Sequence, residues 1–141
     1  MPDESFPNVK AQRNSMSRQI ESAAYHEAGH MTAAIVQGMP IRATGLNVDL
    51  CGNGCADYFE RSAGDLAVTE LDHRERKLTI IALYAAHMTQ LKFYPDCQQE
   101  GWRQDLAKME ALIREMHPSG GQAQIVQEEL RERAKKLVDG H

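Results

Sequence analysis

The sequence predicts a mainly helical α+β domain in which a small β-hairpin lies beside a long first helix. Apolar residues recur at helical spacing from about Ser17 to Gly38, and residues 41–60 change to a weak alternating pattern around a glycine-rich turn. Three further helical stretches follow. With 141 residues the chain is long enough for one domain with a buried core. We expect a flexible leader over residues 1–16 and a single domain over residues 17–141.

The ends of the first helix and of the hairpin are marked by turn residues. Gly38 and Pro40 predict where the first helix stops, because glycine and proline commonly follow a helix end. Residues 41–50 hint at a period of two, and the stretch 51–55, Cys-Gly-Asn-Gly-Cys, has the composition of a tight turn. Residues 56–60 are then expected to form the returning strand.

The C-terminal part is predicted to be helical throughout. The helical stretches cover residues 73–93, 104–117 and 122–138, and proline or glycine residues separate them. Each carries an apolar stripe, and the last is strongly charged on its other faces. This charged helix is either a solvated face or a surface for a second subunit, and its periodicity leaves both interpretations open.

Charge and composition narrow the choice of partners. The formal net charge is -4, which gives no electrostatic reason to expect nucleic acid as the main partner. No apolar run approaches the 18 or more residues of a membrane span, and residues 1–10 lack the apolar core of a signal peptide. The three cysteines do not suggest a secreted disulfide framework. We therefore expect a cytoplasmic protein with no membrane partner.

The motif that carries chemistry is His26-Glu27-Ala-Gly-His30, which lies inside the first predicted helix. Residues four apart on a helix share a face, so His26 and His30 can bind one metal ion. Glu27 reaches the open side of that ion, where it can take a proton from a bound water. Gly29 is unfavourable in mid-helix and indicates that another element packs closely there. The spacing predicts a zinc site of a hydrolase.

Two histidines do not complete a zinc site, and the residues alone leave the third ligand open. Asp105 is one candidate, although a carboxylate near the start of a helix is also explained by the helix dipole. The other candidates are Glu100, Glu110, His73 and His87.

Residues 24–30, Ala-Tyr-His-Glu-Ala-Gly-His, resemble the peptidase domain of the FtsH family of ATP-dependent zinc proteases. The similarity continues through residues 38–48 and through Gln104-Asp105-Leu106, and it covers about residues 20–117. It implies a zincin-like domain that binds Zn²⁺ through His26, His30 and Asp105. It also implies that Glu27 is the catalytic base and that the protein is a zinc metallopeptidase.

The chain departs from that family in two stretches and in one missing motif. Residues 84–89, Tyr-Ala-Ala-His-Met-Thr, lack the family's glycines and acid, and residues 101–103 are Gly-Trp-Arg instead of small residues. No Gly-x-x-x-x-Gly-Lys-Ser/Thr loop is present. We therefore expect a stand-alone relative that acts on peptides or unfolded segments. Because the family assembles into rings, a homo-oligomer is a further expectation.

The sequence leaves alternatives open on three points. The chain is either an active peptidase or a catalytically silent zinc-binding regulatory module, and the intact Glu27 favours the first. The hairpin either covers the core or binds an extended peptide along its edge strand. Cys51 and Cys55 are incidental thiols of the turn or, less in keeping with their spacing, a second metal or redox pair.

Overall fold

Four helices make up most of the part of the chain that the structure describes. This computed structural model describes residues 9–48, 54–58, 70–97, 100–117 and 120–141. The elements in chain order are α1 (Val9–Val36), β1 (Ile41–Val48), β2 (Gly54–Tyr58), α2 (Glu70–Phe93), α3 (Glu100–Met116) and α4 (Gly120–Gly140). Among these described elements, no helix combines the length and apolar character that crossing a membrane requires.

The predicted α+β class is wrong, because the domain is organised as an all-helical fold. Every core side chain buried in the described residues lies in a helix, except Met39, which follows α1 directly. Within the described residues the strands β1 and β2 pair antiparallel only with each other, from Ile41 opposite Tyr58 to Val48 opposite Gly54. An α+β domain needs a sheet layer that helices can cover, and a two-stranded ladder does not supply one. These strands form a hairpin that packs on α1.

The helix α1 has one buried face, and the end of the helix is fixed by a Schellman motif. Gly38 adopts a φ of 73°, which glycine tolerates without the steric cost other residues meet. The Gly38 amide donates to the Ile35 carbonyl and the Met39 amide to the Ala34 carbonyl, at 3.0 and 2.8 Å. Met39 is buried beside Ala34. The predicted stop of the first helix is therefore confirmed.

The start of α1 lies earlier than the sequence predicted. The helix begins at Val9, not near Ser17, so residues 9–16 belong to it and not to a flexible leader. Every described side chain between Lys10 and Arg18 is exposed. An exposed helical stretch shows no apolar periodicity, which is why the pattern gave no sign of it. The rest of the predicted leader, residues 1–8, lies outside the described residues.

The helix α2 lies at the centre of the domain. All seven residues from Ile80 to Ala86 are buried, as expected of a helix that contacts neighbours on several sides. On the side that faces α1 the two helices approach closely, since a Cβ on Gly29 would lie 2.7 Å from the Ala86 Cα. The close packing predicted at Gly29 is thus confirmed. Phe93 ends α2 directly before Tyr94-Pro95, also as predicted.

The larger core lies between α2, α3 and α4. It consists of Ile80, Ile81, Leu83, Tyr84, Met109, Leu112, Ile113, Met116, Val126, Leu130 and Ala134. At one edge the buried guanidinium of Arg76 pairs with Glu115, which joins α2 to the end of α3. The helix α3 begins at Glu100, four residues before the predicted start. This core fixes α3 against α2. The first turn of α3 consequently lies near His26 of α1.

Candidate metal centre

The two motif histidines lie on the buried face of α1. Ser22, His26, Gly29, His30 and Ala33 follow one another at helical spacing, and all five are buried. The exposed fraction is 3% for His26 and 5% for His30. Their ring centroids are 4.8 Å apart and the planes are nearly perpendicular, at 85°. The two imidazoles therefore point into one protected space.

Asp105 is the carboxylate that α3 brings to these imidazoles. Its Oδ2 atom lies 2.8 Å from Nε2 of His26 and 2.9 Å from Nε2 of His30. The residue is 6% exposed. One carboxylate oxygen and two imidazole nitrogens thus converge from two helices that are far apart in sequence. The structure brings together the three residues predicted as ligands, and metal binding by them stays a prediction.

The other candidate ligands lie in different surroundings. Glu110 is exposed on α3, and the His87 ring stacks on Trp102 with centroids 4.0 Å apart and an angle of 9°. His73 lies near His117, with ring centroids 6.4 Å apart. The Glu100 side chain is outside the described part of the structure. Asp105 is therefore the candidate for which the structure shows contact with both motif histidines.

Glu27 lies beside the two imidazoles and is half-buried. One ligand atom from each of His26, Glu27 and His30 falls within 4.8 Å of the others, close enough for a shared ion. Burial raises the pKa of Glu27 above 4.5, although the imidazoles of His30 and His26 oppose this effect. A carboxylate with a raised pKa at such a position is suited to exchanging a proton.

Electrostatic coupling ties Asp105 to its histidine neighbours. Burial alone would raise the pKa of Asp105, but hydrogen bonds from His26 and His30 hold it well below its usual range. Burial alone would lower the pKa of His26, yet the hydrogen bond to Asp105 and the charges of Asp105 and Glu27 raise it above 6.5. The carboxylate is thus ionised and aimed at the Nε2 atoms, as a metal ligand must be.

The donor set fits a divalent metal ion. Imidazole nitrogen and carboxylate oxygen suit zinc and other first-row metals. Two ligands at a tetrahedral angle around zinc lie about 3.3 Å apart, from bond lengths of about 2.0–2.1 Å. The separations of 2.8 and 2.9 Å from Asp105 to the two imidazoles fall short of that by about 0.5 Å. The two contacts of Asp105 are therefore close to the spacing that zinc requires.

Sequence reasoning missed three residues that shape the site. Nδ1 of His26 lies 3.0 Å from Oε1 of Gln90, and Nε2 of Gln90 donates to Oγ of Ser22 at 2.7 Å. Gly101 lies against the His26 ring, because a Cβ there would be 3.1 Å from Nε2. Two signals were available: a glutamine in the apolar pattern of α2, and a serine four residues before His26 on the same face.

Some secondary expectations are corrected or fall outside the described residues. The sequence also predicts His117 at the surface, but it is half-buried, and its Nε2 atom has no hydrogen-bond partner among the described residues. Trp102 packs against the core and stacks on His87, in line with the commoner fate of a tryptophan. The question of Cys51 and Cys55 lies outside the described part, which leaves out residue 51 and the Cys55 side chain.

Comparisons with known proteins identify no relative. No family model matches the chain, and neither the curated proteins nor the solved structures contain a match. Membership of the FtsH peptidase family therefore stays a prediction from the motif and its surroundings.

Proposed function

We propose that this protein is a zinc-dependent peptidase that hydrolyses peptide bonds in short peptides or unfolded segments. One observation carries the proposal. Nε2 of His26 and Nε2 of His30 both approach the same oxygen of Asp105, within 2.9 Å, in a buried space with Glu27 alongside. Buried charged groups are expensive unless they are paired or bind a metal, so such a cluster is a strong candidate for function.

The proposed role of each residue follows from its position at the site. His26, His30 and Asp105 hold the ion. When bound, zinc with one open position lowers the pKa of a coordinated water and polarises a peptide carbonyl. Glu27 accepts the proton of the attacking water and passes it to the leaving amine, a role that its raised pKa favours. The resemblance to FtsH-type peptidases supports the same assignment.

The decisive test compares wild type with Glu27→Gln. Wild type is expected to contain about one zinc per chain and to cleave members of a fluorogenic peptide library. The variant should keep its zinc and lose about 10²–10⁴-fold in rate, the usual contribution of a general acid–base group. Glu21→Gln, at an exposed position on the same helix, serves as a matched control that should keep full activity. Wild-type rates in Glu27→Gln would overturn the proposed mechanism.

A second candidate function has its own supporting observation. Because Glu27 lies within 4.8 Å of both histidine donors, it can itself serve as a fourth ligand beside Asp105. Four protein ligands close a zinc site, as in structural centres, and the protein would then be a silent zinc-binding module. The same variant separates the two functions. A large loss of zinc affinity in Glu27→Gln indicates a ligand, whereas retained affinity with lost hydrolysis indicates a base.

A further inference from the structure

A chain of buried polar side chains runs behind the candidate metal centre. Ser22 lies one helical turn before His26 on α1, and Gln90 faces both of them from α2. The exposed fractions are 0% for Ser22, 4% for Gln90 and 3% for His26. Burying an amide costs free energy of folding unless its hydrogen bonds are satisfied. Both ends of the Gln90 amide have partners.

The two nitrogens of the His26 ring face different groups. Nε2 points to Asp105 at 2.8 Å, and Nδ1 points to Gln90 Oε1 at 3.0 Å. A neutral imidazole carries one proton, and a metal can bind only the nitrogen without it. If the metal binds Nε2, then Nδ1 must carry the proton and donate it to an acceptor. The carbonyl end of the Gln90 amide is placed to accept that proton.

The Gln90 amide lies with its oxygen toward His26 and its nitrogen toward Ser22. Gln90 Nε2 donates to Ser22 Oγ at 2.7 Å, which leaves Oε1 directed at the ring. A reversed amide would present N–H groups to Nδ1 and would favour the tautomer with its proton on Nε2. That tautomer cannot bind a metal through Nε2. With Oε1 facing Nδ1, the Gln90 amide favours the form of His26 that binds metal through Nε2.

We propose that Gln90 is a positioning residue that fixes His26 as an Nε2 ligand by accepting the Nδ1 proton, while the other end of its amide donates to Ser22. This inference rests on the proposed metal site and specifies how the site is prepared. Outer partners of metal-binding histidines usually contribute about 10–100-fold to metal affinity. The effect should therefore be visible in metal binding itself, without any assay of hydrolysis.

The test compares the zinc affinities of Gln90→Met and Gln90→Glu by competition with a chromophoric chelator. Methionine keeps the length of the side chain and removes the acceptor, so Gln90→Met should bind zinc about 10–100-fold more weakly than wild type. Glutamate keeps an acceptor, so Gln90→Glu should bind at least as tightly as wild type. Gln124→Met, at an exposed position on α4, is the matched control and should leave the affinity unchanged.

A spectroscopic readout separates positioning from a general effect on folding. Long-range ¹H–¹⁵N spectra of zinc-loaded wild type should show His26 with its proton on Nδ1. Zinc on Nδ1 of His26, or equal affinities for wild type and Gln90→Met, would overturn the inference while the proposed metal site stands. Equal weakness of Gln90→Met and Gln90→Glu would also overturn it. Wild type that binds no zinc would instead refute the proposed function itself.

Discussion

Two pairs of histidines lie close together in this domain, and the described side chains around the two pairs differ. His26 and His30 share one helix face, and an ionised carboxylate contacts both rings. His73 and His117 come from the first turn of α2 and from the residue after α3, with ring centroids 6.4 Å apart. In that second region Glu115 pairs with the buried Arg76. Among the described side chains, a carboxylate in contact with both imidazoles therefore distinguishes the first pair.

The largest expected effect is the removal of that carboxylate. Asp105→Asn keeps the size of the side chain but loses its charge, so zinc affinity should fall by more than about 100-fold, beyond the loss of an outer partner. Isothermal titration with zinc measures the change directly. If Asp105→Asn bound zinc as tightly as wild type, Asp105 would not be a ligand, and the contrast between the two histidine pairs would need another explanation.

The matched substitution at the other pair should affect folding and leave the metal alone. Glu115→Gln removes the charge that pairs with Arg76, whose side chain is 2% exposed. The free energy of unfolding should fall by about 1 kcal/mol, because glutamine can still accept a hydrogen bond from Arg76 but carries no charge. Urea denaturation measures this, and zinc titration should give the wild-type affinity. A loss of zinc affinity here would contradict the separation of the two regions.

Acidification should weaken metal binding at the first pair. Metal and proton compete for the imidazole, and the neighbouring Asp105 raises the pKa of His26 above 6.5 in the metal-free protein. Zinc affinity should thus decrease as the pH falls from 8 to 6, by up to about tenfold per unit for each proton displaced. A series of zinc titrations at constant ionic strength tests this. An affinity independent of pH would exclude His26 as a ligand.

The smallest expected effect is steric. Gly101 is the second residue of α3, and a Cβ there would lie 3.1 Å from the Nε2 atom that should bind metal. Gly101→Ala should lower zinc affinity by about tenfold, as for a disturbed outer contact, without lowering the stability of the metal-free protein. Gly121→Ala is the control, since Gly121 is the second residue of α4 and a Cβ there meets nothing within 4 Å. Equal zinc affinities for the two variants would show that the ring tolerates the added methyl group.

The sequence allowed the ends of helices to be predicted better than their beginnings. Gly38 and Pro95 mark stops through local backbone chemistry, which needs no tertiary contact. The starts of α1 and α3 were placed too late by eight and four residues. The described side chains in the first turns of α1 are all exposed, so they show no apolar pattern. The start of α3 contains Gly101, and glycine is a poor helix former. The fold class was wrong because a weak alternating pattern cannot show how many strands will pair.

At the candidate site, local spacing was informative and long-range pairing was not. His26, Glu27 and His30 could be grouped from the sequence because one helix fixes their relation. Asp105 could not be selected from the residues alone, since its approach to α1 depends on how α3 packs against α2. The contact of Gln90 with His26 is invisible for the same reason, because the two residues are 64 positions apart.

The length of α1 gives the helix two unequal halves. The described side chains from Lys10 to Arg18 are exposed, whereas the second half is embedded against α2 and the hairpin. A short exposed helix is marginal by itself, and local unfolding in proteins proceeds in separate cooperative units. The exposed turns can therefore open and close without loss of the buried turns that carry His26 and His30. The candidate metal centre therefore belongs to the half of α1 whose opening requires the loss of buried packing.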